Sequence, residues 1–386
     1  MKTALKEGFI KEFNIEPTDY FSSSGRIEIL GNHTDHNHGL VLVSAVNLDI
    51  ICSCIKTNDN KIEIYSEGFS RFEVDLSNLK RRKDEEGKSI SLVKGVAKKI
   101  KEQNYIIGGF KAYIKSNVPS GSGISSSAAF ECLITEIFNY YYNENSISKM
   151  DIAKVSQYAE NVYFNKPCGL LDQCGVAFGG INMIDFKSTK NPIVTHIETS
   201  FDPYDIILVN CGGDHSALTP YYSSIKEEME QVANFFNKKT LRDVPYSKFY
   251  NSLNELRNKV SDRAILRAFH YYNENKLVKK AFKCIKKHNI KGFLRCINES
   301  GESSYMYLQN TCTYNSYKQN LNLALRLSKE LIKDGACRIH GGGFEGTILA
   351  FVHKNESDLY IKKMSEIYGK NSIYKVNSRN CGPIHL

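Results

Sequence analysis

An α+β protein of two domains is what the sequence predicts, and three observations carry that expectation. The chain has 386 residues, more than one small core organises at roughly 100–200 residues per domain. Strand-like and helix-like segments alternate irregularly, without the regular strand–helix repeat of a doubly wound sheet. The pattern also restarts: a strand-rich first third passes into helices, and a buried strand at 204–211 then opens a second helical stretch that ends in strand, glycine loop and strand. The expected boundary lies near residues 190–202, giving domains of 1–199 and 200–386.

The elements follow in order. "RIEIL" (26–30), "LVLVSAVNLDIICSCI" (40–55), "KIEIYS" (61–66) and "FEVDL" (72–76) are rich in β-branched and aromatic residues between polar turns, and read as strands. Leu92, Val93, Val96, Ala97 and Ile100 recur at helical spacing and predict a helix over 90–102. "GGFKAYIKS" (108–116) alternates again as a strand. In "SSSAAFECLITEIFNYYYN" (125–143) Ala129, Leu133, Ile134, Ile137 and Phe138 form one apolar stripe of a long helix. A second helix, "DIAKVSQYAENVYF" (151–164), is expected to open on Asp151 as N-cap and to close at "NKPCG". Residues 222–335 read as mainly helical, and the strands of "ACRIHGGGFEGTILAFV" (336–352) precede a short helix and one last strand.

Composition narrows the class. A hydrophobic fraction of 41% with 24% charged residues is that of a folded globular chain. No apolar run approaches the ~18 residues that span a bilayer, and acids interrupt the N-terminal "MKTALKEGFIKEFNIEP", so neither membrane segment nor signal peptide is expected. Eleven scattered cysteines suggest reduced thiols and a cytoplasmic location. The net charge of +9 is read as dispersed along surface helices. Its densest run, "LKRRKDEEGK" (79–88), holds three acids and is expected to be a solvated loop, so no nucleic-acid partner is implied.

Three loops carry the chemistry. "VPSGSGISSSAAF" (118–130) sets Pro119, Gly121, Ser122 and Gly123 before Ser125, Ser126 and Ser127 at a helix N-terminus. Glycines let backbone approach a ligand closely, and free N–H groups with the positive helix end favour phosphate. The loop lacks the Walker lysine. "HGGGFEG" (340–346) contains G-x-G-x-x-G, but "TILAFV" follows as a strand where a dinucleotide fingerprint needs a helix. It is either a structural hairpin or a backbone wall beside a phosphate or substrate. "GRIEILGNHTDHNHG" (25–39) offers a metal cage, a sugar clamp or a polar turn; His33, Asp35, His36 and His38 are metal-ligand types, but such close neighbours rarely converge on one tetrahedron.

Taken together and in this order, the loops resemble the GHMP small-molecule kinases. "GRIEILGNHTDHNHG" is similar to the signature G-R-x-N-x-I-G-E-H-T-D-Y-N-G-G of the members that phosphorylate galactose, "PSGSGISSSAAFE" to the family's ATP loop and "RIHGGGFEG" to its third motif. "AENVYFNKPCGLLDQCG" (159–175) is similar to the segment with the catalytic aspartate, and "HSALTPYY" (215–222) to a later sugar-contacting segment. The resemblance implies a ribosomal-protein-S5-like N-terminal domain, an α+β C-terminal domain and an active site in the cleft between them. It implies ATP-dependent phosphorylation of the anomeric hydroxyl of galactose, with Asp172 holding or deprotonating that hydroxyl and Arg26 beside it. Ser127 and Glu160 match the positions that contact Mg²⁺; Asn32, His33, Asp35, Gly169 and Tyr222 match the sugar pocket.

The pattern departs at Asn32, His36 and His38, which stand where the signature has Glu, Tyr and Gly; at Glu345, where a glycine is expected; and in the absence of tryptophan. These exchanges leave a related sugar such as N-acetylgalactosamine, or a catalytically silent sugar-binding regulator, as alternatives. The implied partners are ATP and a small sugar, with the protein a monomer or weak dimer.

Overall fold

The computed structural model describes residues 2–119, 123–213, 218–314 and 316–386. Gly121 and Ser122 of the expected ATP loop lie outside the described residues, as do residues 214–217, which include the first three of the "HSALTPYY" segment.

An N-terminal helix α1 (Lys2–Phe13) leads into β1 (Asp19–Leu30), β2 (Leu40–Lys56), β3 (Lys61–Ser66) and β4 (Phe72–Asp75), then α2 (Ser89–Glu102) and β5 (Phe110–Ser116). There follow α3 (Ser126–Asn143), α4 (Lys149–Tyr158), α5 (Leu171–Phe178), β6 (Ile181–Asp185) and β7 (Ile193–Ile197). The first sheet runs β12 (Ile384–His385)-β1-β2-β5-β3-β4, with β6 pairing β2 and β7; among its described strands only β3 and β5 are parallel. The chain then crosses to β8 (Tyr204–Asn210), the helices α6 (Thr219–Phe235), α7 (Tyr246–Asn251), α8 (Leu253–Leu256), α9 (Asp262–Lys286), α10 (Ile290–Ser303) and α11 (Asn320–Leu331), and β9 (Gly335–His340) and β10 (Thr347–His353). Helix α12 (Lys354–Tyr368) and β11 (Ile373–Val376) complete the second sheet, ordered β11-β8-β10-β9. A last strand, β12 (Ile384–His385), returns to pair with β1.

Several expectations are corrected. Helix α1 was not foreseen; its Leu5, Phe9 and Phe13 form a narrow stripe that packs on Ile51 and Tyr113. Strand β1 starts seven residues before "RIEIL", because "DYFSSS" pairs continuously with β2. Strands β6 and β7 were also missed, since each is only five residues long and Asn182, Asp185, Thr195 and His196 interrupt their apolar pattern. Ser148, and not Asp151, caps α4: its hydroxyl accepts the Asp151 N–H at 3.1 Å. Two strands, and not one, follow α12. The 79–88 run is a solvated turn with Arg81–Glu86 and Arg82–Asp84 pairs, as expected. The basic residues are less dispersed than expected: Lys276, Lys279, Lys280, Lys283 and Lys287 of α9 and its C-terminal turn line one open groove of about 460 Å³.

One apolar core joins the two sheets through Leu208, Leu349 and Phe351 on one side and Phe21, Ile27 and Val43 on the other. The functional loops gather where this seam reaches the surface.

Candidate active site

Strand β1 sets the geometry. Its register against β2 shifts between Ser24 and Arg26, and at that bulge the Arg26 N–H donates to the Ile124 carbonyl at 3.0 Å. A Cβ on Gly25 would stand 2.8 Å from that same carbonyl oxygen, so only glycine lets the phosphate loop lie this close. Alternation along the strand then sends Arg26 and Glu28 to one face.

Helix α5 brings the second half of the site. A Cβ on Gly175 would meet Val43 at 2.6 Å and Arg26 at 3.2 Å, so the helix seats against β1 and β2 through its glycine, with Asp172 in its first turn. Arg26 Nε and Nη2 donate to Asp172 Oδ1 at 2.9 and 2.6 Å, and Ser125 Oγ donates to Asp172 Oδ2 at 2.5 Å. Arg26 Nη1 also donates to the Gly123 carbonyl. Burial pushes the Asp172 carboxyl up, but the Arg26 charge and the hydrogen bonds from Ser125 and Arg26 prevail and hold it below the usual carboxylate range. Arg26, Asp172 and the described part of the glycine–serine loop thus come together at the head of α3. Ser125 takes a left-handed backbone (φ 62°) immediately before α3, which turns its hydroxyl onto Asp172.

The oxygen donors lie one turn further into α3. Ser127 Oγ donates to Glu160 Oε1 at 2.9 Å; Lys166 Nζ and Gln173 Nε2 also reach Glu160, at 2.8 and 2.7 Å. Glu160 sits in a π-helical turn (Ala159–Tyr163) with its side chain 1% exposed, so it is not a surface acid. Gln173 bridges it to Glu131, a buried carboxyl that burial, reinforced by Glu160, pushes well above its usual range; Glu131 Oε1 has no partner among the described residues. The Glu160 carboxylate and the Ser127 hydroxyl are hard oxygen donors of the kind that suits Mg²⁺. Among the described residues no three His, Cys, Asp or Glu side chains converge for a metal.

The sugar signature forms the opposite wall. Thr34 closes its turn by donating to the Gly31 and Leu40 carbonyls, and the short helical turn Asp35–Asn37 ends on His38 in the left-handed region. The three histidines go different ways. His33 Nε2 donates to the Gly342 carbonyl at 2.9 Å and leaves Nδ1 an acceptor; burial pushes this imidazole down to about 4. His36 Nδ1 meets the Asn37 amide, and His38 carries the left-handed turn. Burial, with Glu28 adding to it, pushes the Asp35 carboxyl up to about 7. Gly169 lies against it: a Cβ there would stand 1.8 Å from Asp35 Oδ2. Tyr222, at the start of α6, lies near-parallel to His33 at 6.4 Å, and its hydroxyl reaches the Gly343 carbonyl.

The third loop is a hairpin turn and a wall at once. Gly341 packs on Gly123, the Gly341 and Gly342 carbonyls accept from Asn32 and His33, and Gly343 (φ 77°) nests on Asn310, where a Cβ would stand 2.3 Å from its carbonyl oxygen.

One expected contact residue is placed elsewhere. Asn32 is 1% exposed, donates through Nδ2 to Glu28 and Gly341, and accepts at Oδ1 from Asn310. Its amide thus braces the loop from behind. The residue that sequence reasoning missed is Glu28. The signature has Asn at its position and Glu at that of Asn32, so carboxylate and amide have changed places, and here they meet at 3.0 Å. His340 was also missed: its Nε2 accepts the Glu28 N–H at 3.1 Å, facing Gly123 across the loop.

A phosphate loop, a carboxylate held by arginine, and a hydroxyl-matching pocket on two α+β halves define a small-molecule kinase of the GHMP type. The description "GHMP kinases N terminal domain" matches residues 91–180, and "Galactokinase galactose-binding signature" matches residues 7–56. The chain is 30% identical over 373 residues to a galactokinase of Clostridium tetani, covering 96% of this chain and 93% of that one. It is 31% identical to one of Haemophilus influenzae, covering 90% and 88%. The fold superimposes on Lactococcus lactis galactokinase complexed with galactose with a TM-score of 0.87, at 24% identity and full coverage of both chains. The chain belongs to the galactokinase family.

Proposed function

We propose that the protein transfers the γ-phosphoryl group of ATP to the anomeric hydroxyl of galactose. The observation that carries this reading is the Arg26–Asp172–Ser125 constellation at the head of α3. Asp172 is ionised at neutral pH and offers an acceptor to the attacking hydroxyl. Because its basicity is depressed, its work is to orient that hydroxyl and to receive the proton late, as a loose phosphoryl-transfer transition state allows. Arg26, already on Asp172 and on the Gly123 carbonyl, neutralises charge that develops on the transferred group.

Phosphates of the nucleotide lie on the loop that runs into α3, lined by Pro119, Gly123 and Ser125 to Ser127. Ser127 and Glu160 would hold Mg²⁺, which would supply charge neutralisation at the phosphate oxygens. Asp35, His33 and Tyr222 hold the sugar, with Gly169 keeping the space at Asp35 open.

The test is ADP formation with a panel of aldoses. Turnover with galactose is expected. Turnover with N-acetylgalactosamine and none with galactose would move the acceptor, the alternative that the exchanged signature residues favour. Sugar binding without ADP from any sugar would make the protein a silent binder.

A further inference from the structure

Along β1, Arg26 and Glu28 stand two residues apart on one face, in unbroken register against Ala45 and Val43. Same-face neighbours on a strand are spaced about 6.6 Å, roughly the breadth of a pyranose ring. Arg26 reaches Asp172, and Glu28 follows it on the same face. Its Oε1 is taken by Asn32 Nδ2 at 3.0 Å and Arg338 Nη2 at 3.2 Å. Its Oε2 receives no donor among the described residues, yet it is not one of the shut-off, unpartnered polar atoms, and 7% of the side chain stays accessible. Glu28 is also the charged group that acts most strongly on Asp35. Asn32, by contrast, has both amide atoms engaged by protein partners.

We propose that Glu28 is a specificity-determining residue, its Oε2 accepting a hydroxyl of the sugar other than the anomeric one, while Asn32 and Arg338 fix the carboxylate through Oε1. The inference rests on the sugar-kinase reading of this site. Arg338 is fully buried and also donates to the Ile29 carbonyl at 2.8 Å, so the brace cannot swing away and Glu28 is presented in one orientation. An acceptor that is already held loses little freedom on binding, and a substrate without the matching hydroxyl leaves it unpaired.

The experiment compares galactose with its monodeoxy analogues, each lacking one non-anomeric hydroxyl, in the wild type and in Glu28→Gln. In the wild type, one deoxy sugar should be discriminated against by about tenfold or more in kcat/KM. In Glu28→Gln the KM for galactose should rise by about tenfold with a smaller change in kcat, and discrimination against that one analogue should collapse. Equal losses on every sugar, or an unchanged KM, would make Glu28 a structural partner of Arg338 and overturn the proposal. Should Glu28→Gln not fold, the reciprocal exchange Glu28→Asn with Asn32→Glu keeps both groups in the pocket. It should recover most of the galactose activity that Asn32→Glu alone loses by crowding two carboxylates; a double variant no better than the single would count equally against the idea. Failure of the kinase reading looks different, since the wild type would then phosphorylate no sugar at all, and the proposal would fall with it.

Discussion

Gly169→Ala tests the sugar pocket without replacing a charged residue. The new Cβ would stand 1.8 Å from Asp35 Oδ2 and 2.8 Å from Cγ, against 3.4 Å for ordinary contact, so the carboxylate must withdraw by 1.6 Å. Asp35 sits in a three-residue turn whose backbone closes on Thr34 and His38, so the withdrawal comes from its side-chain torsions and carries both oxygens away from the pocket. A hydrogen bond to a charged group contributes about 1.5–3 kcal/mol, so losing one should raise the KM for galactose roughly 10- to 100-fold. The KM for ATP should stay within about twofold, because the new Cβ meets Asp35 and none of Ser125, Arg26 or Asp172. The Gly169 backbone is outside the left-handed region, so alanine brings no conformational strain and stability should change by about 1 kcal/mol or less. Initial rates with each substrate varied in turn, beside a thermal melt, decide the matter. A melt that falls while the sugar KM holds would show that Gly169 matters for folding and that Asp35 does not hold the sugar.

Asp172→Asn should cut kcat by about 10³-fold or more while an ATP analogue titrates nearly as before; unchanged turnover would remove Asp172 from the reaction. Glu160→Gln should raise the Mg²⁺ concentration for half-maximal rate about tenfold, and a curve overlying the wild type would place the metal elsewhere. Asp35 adds a pH signature. Its folded-state carboxyl is raised from 3.8 to about 7, so between those values the native state binds more protons than the unfolded chain and stability falls as pH rises. Asp35→Asn should flatten that slope in urea titrations run from pH 5 to 7.5. Because the ionised form accepts hydroxyls better, galactose binding near pH 7 should release a proton, seen by calorimetry in buffers of different ionisation enthalpy and absent in Asp35→Asn.

Much of this was legible in the sequence because the chemistry is local. Gly25, Arg26, Gly123 and Ser125 to Ser127 belong to segments whose residue types already state their task, namely close backbone approach, a fixed cation and free N–H groups at a helix start. The long helices and strands were legible for the same reason: Leu133, Ile134 and Ile137 repeat at one period, and β2 is rich in Val, Ile and Leu over seventeen residues. What could not be read was long-range pairing. Nothing near residue 384 announces that β12 closes the first sheet, and nothing in the Cys168–Gly169 turn says that its backbone will lie on Asp35.

The same limit explains why Asn32 read as a sugar ligand. A motif gives the order of side chains but not what stands behind them, and here the backing comes from the far half of the chain. His270 Nε2 donates to the Asn32 carbonyl at 3.0 Å, Glu274 accepts the Gly31 N–H at 2.9 Å, Arg338 donates to the Ile29 carbonyl, and Asn310 donates to the Asn32 side chain. Backbone or side chain of residues 29, 31 and 32 is thus fixed by α9, β9 and the turn at Asn310. All four of these partners are fully buried, where an unpaired polar group costs about 1–3 kcal/mol. A glutamate at position 32 would break the amide's bonds to Glu28 and Gly341 and set a second carboxylate against the first. Restoring the family's residue at that one position should therefore weaken the protein before it improves its choice of galactose. Sugar preference in this chain is a joint property of β1 and its brace, so it can be transferred only by moving the pair together.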